Sequence, residues 1–595
     1  MPVAFFRIFV LVKDYKWRFI VSQVAMAIAA IATVFFATLI SALVDDGMVA
    51  GDQDAAISIG LQMILLALLM GVAMAIAASQ AVFFSQGAAF LVRRRLYDHL
   101  QEYSFENFDH RPTSQLMVRL NADAVNIQNA VMYAVMLGSF APFILLTTLV
   151  LAIINTPQLV WVLIIVIVLV VVVMGMLVPG ISRSYDERQA QLDHMGNTLQ
   201  ENLSGIAVVK AFVRERLEID KFSQNAAAIR TPDFEAAWRV AFMAPLLTGL
   251  GQLAIIIGMW TGGRNVLGGG DMSVGDVSTF TQYLSLTVTP LALVALVLPL
   301  VLRGDVSARR IFEAYEAEPT VVDRVGVQPV DVETMQGRVQ FDNVSFAFRR
   351  ADGTFDPPAL RNIDLTIEPG QRVGFLGATG AGKSALVNLI PRFYDVTEGR
   401  ITIDGVDVRD IPLSQLRTTV GIALQEAVMF KGQLRQNLKF GAPDTEDGVM
   451  FDAAKAADSF GFIDNLPEKW DGPVARRGYN FSGGQRQRLS ITRALVTKPK
   501  VLILDDSTSA LDASTEGRVQ GAIPGFVDGA TTIYVAQRIS AVIDLDRIFL
   551  LQDGEIVAVG DHEELLRDNA MYQEIYESQL GGGVTAGIDL EGATS

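Results

Sequence analysis

Long apolar stretches fill the N-terminal half of the chain, whereas the C-terminal half has the mixed polar and apolar pattern of a globular domain. A transmembrane helix needs about 20 consecutive apolar residues. Stretches of that length without Asp, Glu, Lys or Arg lie at 19–44, 55–92, 124–182, 240–263 and 277–302. The sequence Asn155-Thr156-Pro157 divides the third stretch with a tight turn. The pattern therefore predicts six transmembrane helices.

The charges between these stretches predict the orientation in the membrane. Lys and Arg are frequent at 6–18, 93–123 and 183–239. The loops on the other side contain one basic residue, Arg264, and the acidic residues Asp45, Asp46, Asp52, Asp54, Asp271 and Asp276. Because loops rich in Lys and Arg stay in the cytoplasm, we expect both termini and the C-terminal half there. The protein should be a multi-pass protein of a bacterial inner or plasma membrane.

Two of the cytoplasmic connections are long. They cover 93–123 and 183–239, and each contains a short break, at Phe108–Leu116 and at Leu203–Phe212. Loops of this length usually have a function. We expect the membrane helices to continue into the cytoplasm and to end in short transverse helices that dock on a soluble domain, one set reaching a partner chain.

Composition excludes several functions. The net charge is −16, which argues against nucleic acid as a partner. The chain has no cysteine, so it forms no disulfide, and its four scattered histidines do not predict a zinc site. The membrane stretches are almost uncharged, which suits an amphipathic or lipid-like cargo better than an ion. Their polar residues, which would line a pathway or hydrogen-bond between helices, include Gln23, Gln62, Gln80, Gln252, Gln282 and Tyr283.

The C-terminal half contains a phosphate-loop pattern, GATGAGKS, between an apolar predicted strand and a predicted helix. Its glycines would let backbone N–H groups approach the phosphates of ATP, its lysine would reach the terminal phosphates, and its serine would ligate magnesium. The residues concerned are Gly377, Gly380, Gly382, Lys383 and Ser384. Downstream, VLILDD predicts a buried strand that ends at a second magnesium residue, Asp505.

A further sequence, NFSGGQRQRLSITRAL at 480–495, resembles the signature of ABC proteins, usually written LSGGQ. Other marks of that family stand at matching places. They are an aromatic residue that stacks on adenine, Phe348, a glutamine loop at Gln425, and a loop that crosses to the partner, Ser509–Asp512. The resemblance implies an α-helical membrane domain of six helices extended into the cytoplasm, followed by an α/β P-loop NTPase domain of ABC type.

The resemblance also implies an organisation and a partner. The expected segments are a transmembrane domain at 1–305, a linker at 306–335, a nucleotide-binding domain at 336–580 and a flexible tail at 581–595. In this family the phosphate loop of one chain faces the signature of another, so the chain should pair with a second half-transporter and bind ATP and Mg²⁺ in the sandwich. The residues offered across the sandwich would be Ser482, Gly483, Gly484, Gln485 and Asp512.

Two residues depart from the family pattern at the catalytic positions. Asp506 stands where the family has a glutamate that activates water, and Gln537 stands where it has a histidine that contacts the γ-phosphate. Gln425 is expected to reach both magnesium and this catalytic centre. The departures predict a subunit of a heterodimeric multidrug or lipid-type exporter whose own site hydrolyses ATP slowly. Its intact signature would complete the site of a partner with the usual glutamate and histidine.

Three other interpretations remain open from the sequence. The chain could form a homodimeric multidrug exporter in which both departures are tolerated. It could be an importer built on the exporter fold, for example of siderophores. It could also be an ATP-gated regulator that transports nothing.

Overall fold

The computed structural model describes residues 3–350 and 352–580, and it divides into two compact units. The first contains the chain up to Gln101 and Thr113–Ala317, and the second contains Glu102–Pro112 and the chain from Glu318. The boundary expected at residue 305 falls inside the last helix of the first unit. The expected domain limits therefore stay predictions, and the tail at 581–595 lies outside the described residues.

The N-terminal half of the sequence is helical in the residues described. Its helices are α1 Val3–Leu11, α2 Lys16–Ala42, α3 Gln53–Glu102, α4 Phe105–His110, α5 Thr113–Val118, α6 Ala124–Asn155, α7 Val160–Ser204, α8 Ile206–Ala211, α9 Glu215–Leu267 and α10 Val274–Tyr315. The predicted break between the third and fourth spans is confirmed, because α6 ends at Asn155 and a 3₁₀ turn begins at Pro157.

Within the described ranges, five helical stretches are long and apolar enough to cross a membrane. They are Lys13–Val49, Gln53–Glu102, Thr113–Asn155, Pro157–Ile181 and Glu215–Leu267. The sixth predicted span, 277–302, falls on α10, where several side chains between 289 and 298 lie outside the described set. As expected, α3, α7 and α9 are much longer than the roughly 20 residues that a bilayer requires.

The polar residues of the spans serve different purposes. Tyr283 is fully buried, and its hydroxyl contacts Thr38 Oγ1 at 2.9 Å and accepts from Asn155 Nδ2 at 3.0 Å. It therefore joins α10 to α2 and α6. Gln23 donates to the Val135 carbonyl at 3.3 Å, which also joins two helices. The side chains of three others are exposed and remain candidates for a pathway: Gln62, Gln252 and Gln282.

Replacing Tyr283→Phe should lower the stability of the membrane unit, since both interhelical hydrogen bonds are lost. Such bonds in membrane proteins stabilise by roughly 0.6 to 1.7 kcal/mol. Thermal unfolding in detergent measures the effect. Tyr133→Phe is the matched control, because that hydroxyl has no hydrogen bond among the described residues. Equal melting temperatures for the two variants would contradict the structural role of Tyr283.

The second unit is an α/β domain. Its strands are β1 Val339–Phe346, β2 Leu360–Ile367, β3 Arg372–Leu376, β4 Glu398–Ile403, β5 Val406–Asp407, β6 Val420–Ala423, β7 Gly432–Gln433, β8 Pro473–Val474, β9 Val501–Asp505, β10 Thr531–Ala536, β11 Arg547–Gln552 and β12 Glu555–Gly560. Its helices are α11 Lys383–Leu389, α12 Leu413–Thr419, α13 Leu434–Leu438, α14 Asp447–Ala456, α15 Phe460–Asp464, α16 Gly483–Val496, α17 Ala513–Val527, α18 His562–Asp568 and α19 Ala570–Leu580.

The main sheet has the strand order β12-β11-β3-β10-β9-β6 and is parallel except for β12. An antiparallel sheet, β2-β1-β4-β5, is the other large sheet of the described unit. Strand β9, which lies between β10 and β6, is buried along its whole length, as a parallel strand covered on both faces should be. Its side chains alternate between two apolar cores, with Ile503 in one and Leu502 and Leu504 in the other.

The second unit includes one short helix from the N-terminal half, α4. Phe105 stacks on Phe393 with 4.3 Å between ring centroids, and the Tyr394 hydroxyl donates to Asp109 at 2.8 Å. The prediction that the first cytoplasmic tip docks on the soluble domain is thus confirmed. The helix lies slightly before the expected 108–116 because a capping box at Ser104 starts it earlier. The second tip is α8, which belongs to the first unit.

Candidate functional site

The parallel strands β3, β10, β9 and β6 have their carboxyl ends along the same edge of the main sheet. Leu376 of β3 pairs with Ala536 of β10, and Asp505 of β9 pairs with Val535. Open α/β sheets bind ligands at the carboxyl ends of their strands. The segments that follow these strands contain, in turn, the phosphate loop, Gln537, Asp506 and Gln425, so the topology gathers residues that are far apart in sequence.

The phosphate loop has the backbone that its sequence predicts. Gly380 and Gly382 have φ values of +87° and +98°, which side chains other than glycine rarely adopt. Lys383 begins α11, and its Nζ donates to the carbonyl oxygens of Gly377 and Ala378 at 2.7 and 2.9 Å. Burial lowers the pKa of Lys383, and the nearby Asp506 and Asp505 oppose that shift. The loop therefore holds a buried cation beside backbone N–H groups, which is a site for phosphate.

Ser384 and Asp505 form a pair of oxygen donors next to this loop. The Ser384 hydroxyl donates to Asp505 Oδ1 at 3.0 Å, and Asp505 is almost fully buried. Burial raises the pKa of Asp505, and the Ser384 hydrogen bond opposes the shift. A buried carboxylate and a hydroxyl are ligands that Mg²⁺ accepts alongside phosphate oxygens. The pair fits a magnesium ion on bound nucleotide.

Asp506 faces Gln425 across the same edge. Gln425 Nε2 donates to Asp506 Oδ2 at 3.3 Å, and burial raises the pKa of Asp506 while this hydrogen bond opposes the shift. Asp506 has a φ of +47°, and its N–H donates to the Val535 carbonyl at 3.0 Å. Aspartate is several-fold more frequent than most residues in this left-handed region, so the backbone here favours the shorter acid.

Gln537 directly follows β10 and reaches the phosphate loop. Thr379 Oγ1 donates to Gln537 Oε1 at 3.3 Å, so the side chain lies at the loop that its family position predicts. The Gln537 carbonyl accepts from Gln579 Nε2 at 3.0 Å. Sequence analysis singled out neither Thr379 nor Gln579. Thr379 lies within the quoted phosphate loop, whereas no local pattern marks Gln579.

The signature begins helix α16. Ser482 and Gln485 form a capping box: the Ser482 hydroxyl accepts from the Gln485 N–H at 3.3 Å, and Gln485 Oε1 accepts from the Ser482 N–H at 2.9 Å. Among the residues that the structure describes, the Ser482 O–H donates to no other group, so it can donate to a ligand. Among the described residues, no hydrogen bond joins 482–485 to the phosphate loop, so this chain does not bring its own signature to its own loop.

The loop that follows Asp506 is fixed to the signature helix by Gln487, which sequence analysis missed. Gln487 Oε1 accepts from the Ala510 N–H at 2.9 Å, and its Nε2 donates to Ser509 Oγ at 3.2 Å. Asp512 caps α17 and accepts from the Thr515 N–H at 3.0 Å. Hydrogen bonds from Ser514 and Thr515 lower the pKa of Asp512. The acid is thus engaged within its own chain.

Phe348 lies apart from these residues. It is 37% exposed and makes edge contacts with Phe346 and Tyr394, at 4.8 and 5.5 Å between centroids. Together with residues of α4 these rings line a cavity of about 790 Å³. An exposed ring beside a cavity can stack on a flat base, as expected for an adenine contact.

The fold and the site define a membrane protein with a P-loop ATPase domain. Residues 19–291 match the protein family described as "ABC transporter transmembrane region", and residues 360–509 match the family described as "ABC transporter". The ATP-dependent lipid A-core flippase of Syntrophus aciditrophicus is 33% identical over 97% of this chain and 94% of that protein. The chain belongs to the ABC transporters: it is a half-transporter of the exporter type, binds nucleotide, and couples ATP hydrolysis to transport across the membrane.

Two further comparisons agree. A putative multidrug export ATP-binding/permease protein of Staphylococcus aureus is 30% identical over 82% of this chain and 83% of that protein. The solved structure of a bacterial Atm1-family ABC exporter with ATP bound has a TM-score of 0.80, covering 95% of this chain and 98% of that one. At 24% identity the latter shows the fold alone. The predicted fold class, a helical transmembrane domain followed by an ABC-type nucleotide-binding domain, is confirmed.

Substituting Lys383→Gln should weaken ATP binding roughly 30-fold or more, because the buried cation that faces the phosphates is lost. Titration of the chain in lipid nanodiscs with a fluorescent ATP analogue measures this. Lys500→Gln is the control, since its Nζ donates to the exposed Glu333 carbonyl at 3.3 Å before the start of β9. A similar loss in both variants would mean that the lysine acts through folding and not through phosphate.

Proposed function

We propose that this chain is the less active half of a heterodimeric exporter of amphipathic or hydrophobic molecules. It holds MgATP at its own phosphate loop, hydrolyses it slowly, and lends its signature to the active site of a different partner. The observation that carries the proposal is the contact between Asp506 and Gln425 at 3.3 Å, which engages one oxygen of the shorter carboxylate that stands in place of the family glutamate.

The Asp506 carboxylate does not reach as far towards the attacking water as the glutamate of the family. A general base must lie within hydrogen-bond distance of the proton that it removes. Aspartate is one methylene shorter than the glutamate of the family, and the backbone of Asp506 is held by its N–H bond to Val535. The carboxylate therefore cannot advance to compensate, and the attacking water is poorly oriented.

The side chain of Gln537 lacks the positive charge of a protonated histidine. Gln537 lies at the phosphate loop through its contact with Thr379 and can donate a hydrogen bond from Nε2 to a γ-phosphate. A neutral amide does not supply the charge of a protonated histidine at the transition state. Loss of base reach together with one transition-state contact is expected to slow hydrolysis by roughly 100-fold or more.

Binding is expected to survive both changes. Lys383 and the loop N–H groups would hold the phosphates, and Ser384, Asp505 and Oε1 of Gln425 would hold Mg²⁺. When bound, the ion neutralises charge on the phosphate oxygens. The distinction between holding and hydrolysing ATP is what a degenerate site requires.

The signature supports the role of the chain towards its partner. The capping box fixes Ser482 and Gln485, and the serine hydroxyl and the N–H groups at the start of α16 are available to a phosphate from another chain. The names of the similar proteins, a lipid A-core flippase and a putative multidrug exporter, support an amphipathic or lipid-like cargo.

ATP turnover by the chain purified alone in lipid nanodiscs tests the proposal. We expect negligible turnover from the unmodified chain and an increase of roughly 100-fold in the Asp506→Glu/Gln537→His variant. Asp553→Glu is the control for a longer acid at a left-handed backbone, since Asp553 has a φ of +50° in the turn between β11 and β12.

Light scattering on the same samples reports whether two chains associate in ATP. Brisk turnover by the unmodified chain would overturn the degenerate site. An associated double variant that stays inactive would show that Asp506 and Gln537 are not the cause of low activity.

A further inference from the structure

The segment after β10 is held by the last turn of the C-terminal helix α19. Gln579 Nε2 donates to the Gln537 carbonyl at 3.0 Å, and Gln579 Oε1 accepts from the Ile539 N–H at 2.8 Å. One side-chain amide therefore pairs with residues i and i+2 of the segment. A neighbouring β-strand would offer the same donor and acceptor to an extended chain.

The helix that presents Gln579 is fixed to the domain. Tyr572 is fully buried, and its hydroxyl contacts His562 Nδ1 at 2.7 Å. Ile575 and Tyr576 pack against the apolar core that also contains the buried Ile539. Helix α19 and Ile539 are thus both anchored in the same apolar core. This allows the Gln579 amide to fix the backbone of the segment after β10.

The side chain of Gln537 points to the nucleotide loop while its backbone is held from behind. Its Oε1 accepts from Thr379, and its Nε2 has no hydrogen bond among the described residues. The side chain of an exposed loop residue stays oriented towards a ligand only if the backbone that carries it is fixed. Gln579 provides that constraint.

We propose that Gln579 is a positioning residue that aims Gln537 at the γ-phosphate, so that the C-terminal helix tunes how the site distinguishes ATP from ADP. The inference rests on the proposed role of Gln537 at the γ-phosphate. It does not require that the site hydrolyses ATP slowly, and its test uses binding in place of turnover.

The test compares the affinities of the chain for MgATP and MgADP in lipid nanodiscs. Gln579→Ala should reduce the preference for ATP over ADP roughly threefold, because Gln537 is no longer aimed and its one hydrogen bond to the γ-phosphate is lost, and should leave ADP affinity unchanged. Gln579→Glu keeps the acceptor for the Ile539 N–H but loses the donor, so it should retain less of the preference than the native chain. Gln537→Ala should give at least the loss seen for Gln579→Ala.

Gln573→Ala is the matched control on the same helix. Its Nε2 donates to the Leu566 carbonyl at 2.7 Å, away from the segment after β10. Hydrogen exchange of the peptide containing Ile539 should rise in Gln579→Ala and stay unchanged in Gln573→Ala. Raised exchange with an unchanged ATP preference would overturn the proposal and leave a purely structural contact, as would equal loss of ATP and ADP affinity.

An unchanged exchange rate in Gln579→Ala would overturn the proposal as well, because the contact would then not hold the segment. If Gln537→Ala itself leaves the ATP preference intact, Gln537 does not contact the γ-phosphate, and the role proposed for Gln579 is overturned with it. Brisk ATP turnover by the native chain would remove the degenerate site while leaving the result for Gln579 standing.

Discussion

The register of the central parallel strands is the constraint on which the site depends. Strand β9 is buried on both faces, with Ile503 in one core and Leu502 and Leu504 in the other. A slip of one residue would exchange those faces. It would also move Asp505 away from Ser384, from which it now accepts at 3.0 Å. Packing of apolar side chains therefore sets the position of the proposed magnesium ligand Asp505.

Local sequence patterns predicted the residues that this register positions. The phosphate loop, Asp505 and the signature each combine unusual residue types at short spacing, because backbone approach to phosphate demands glycine and a helix start demands a cap. The spans and their orientation followed from apolar length and from the distribution of Lys and Arg. The docking helix α4 was expected a few residues too late, since the capping role of Ser104 was not recognised.

Contacts that join distant segments could not be predicted in this way. Gln487 and Gln579 act through a side-chain amide on backbone groups of other loops, and the sequence around each resembles an ordinary helix surface. The sequence favoured an interhelical bond for Tyr283 over a cargo pathway but did not decide between them, because apolar stretches do not tell which face of a helix is turned inward. Only the packing of α10 against α2 and α6 decides for the bond.

The separation of binding from hydrolysis follows from where each function resides. In the proposed site the loop N–H groups, Lys383 and the pair of Ser384 and Asp505 would hold ground-state ATP, and closure of two chains needs only a difference in ATP affinity between open and closed states. In the proposed function, the carboxylate at 506 and a positive charge at 537 would act on the transition state, whereas the neutral amide of Gln537 can still contact the γ-phosphate of bound ATP. Once one of the two is lost, little hydrolysis remains for the other to support. Two departures at these positions, beside an intact loop and signature, are therefore what the proposed function expects of a chain that closes on ATP but hydrolyses it slowly.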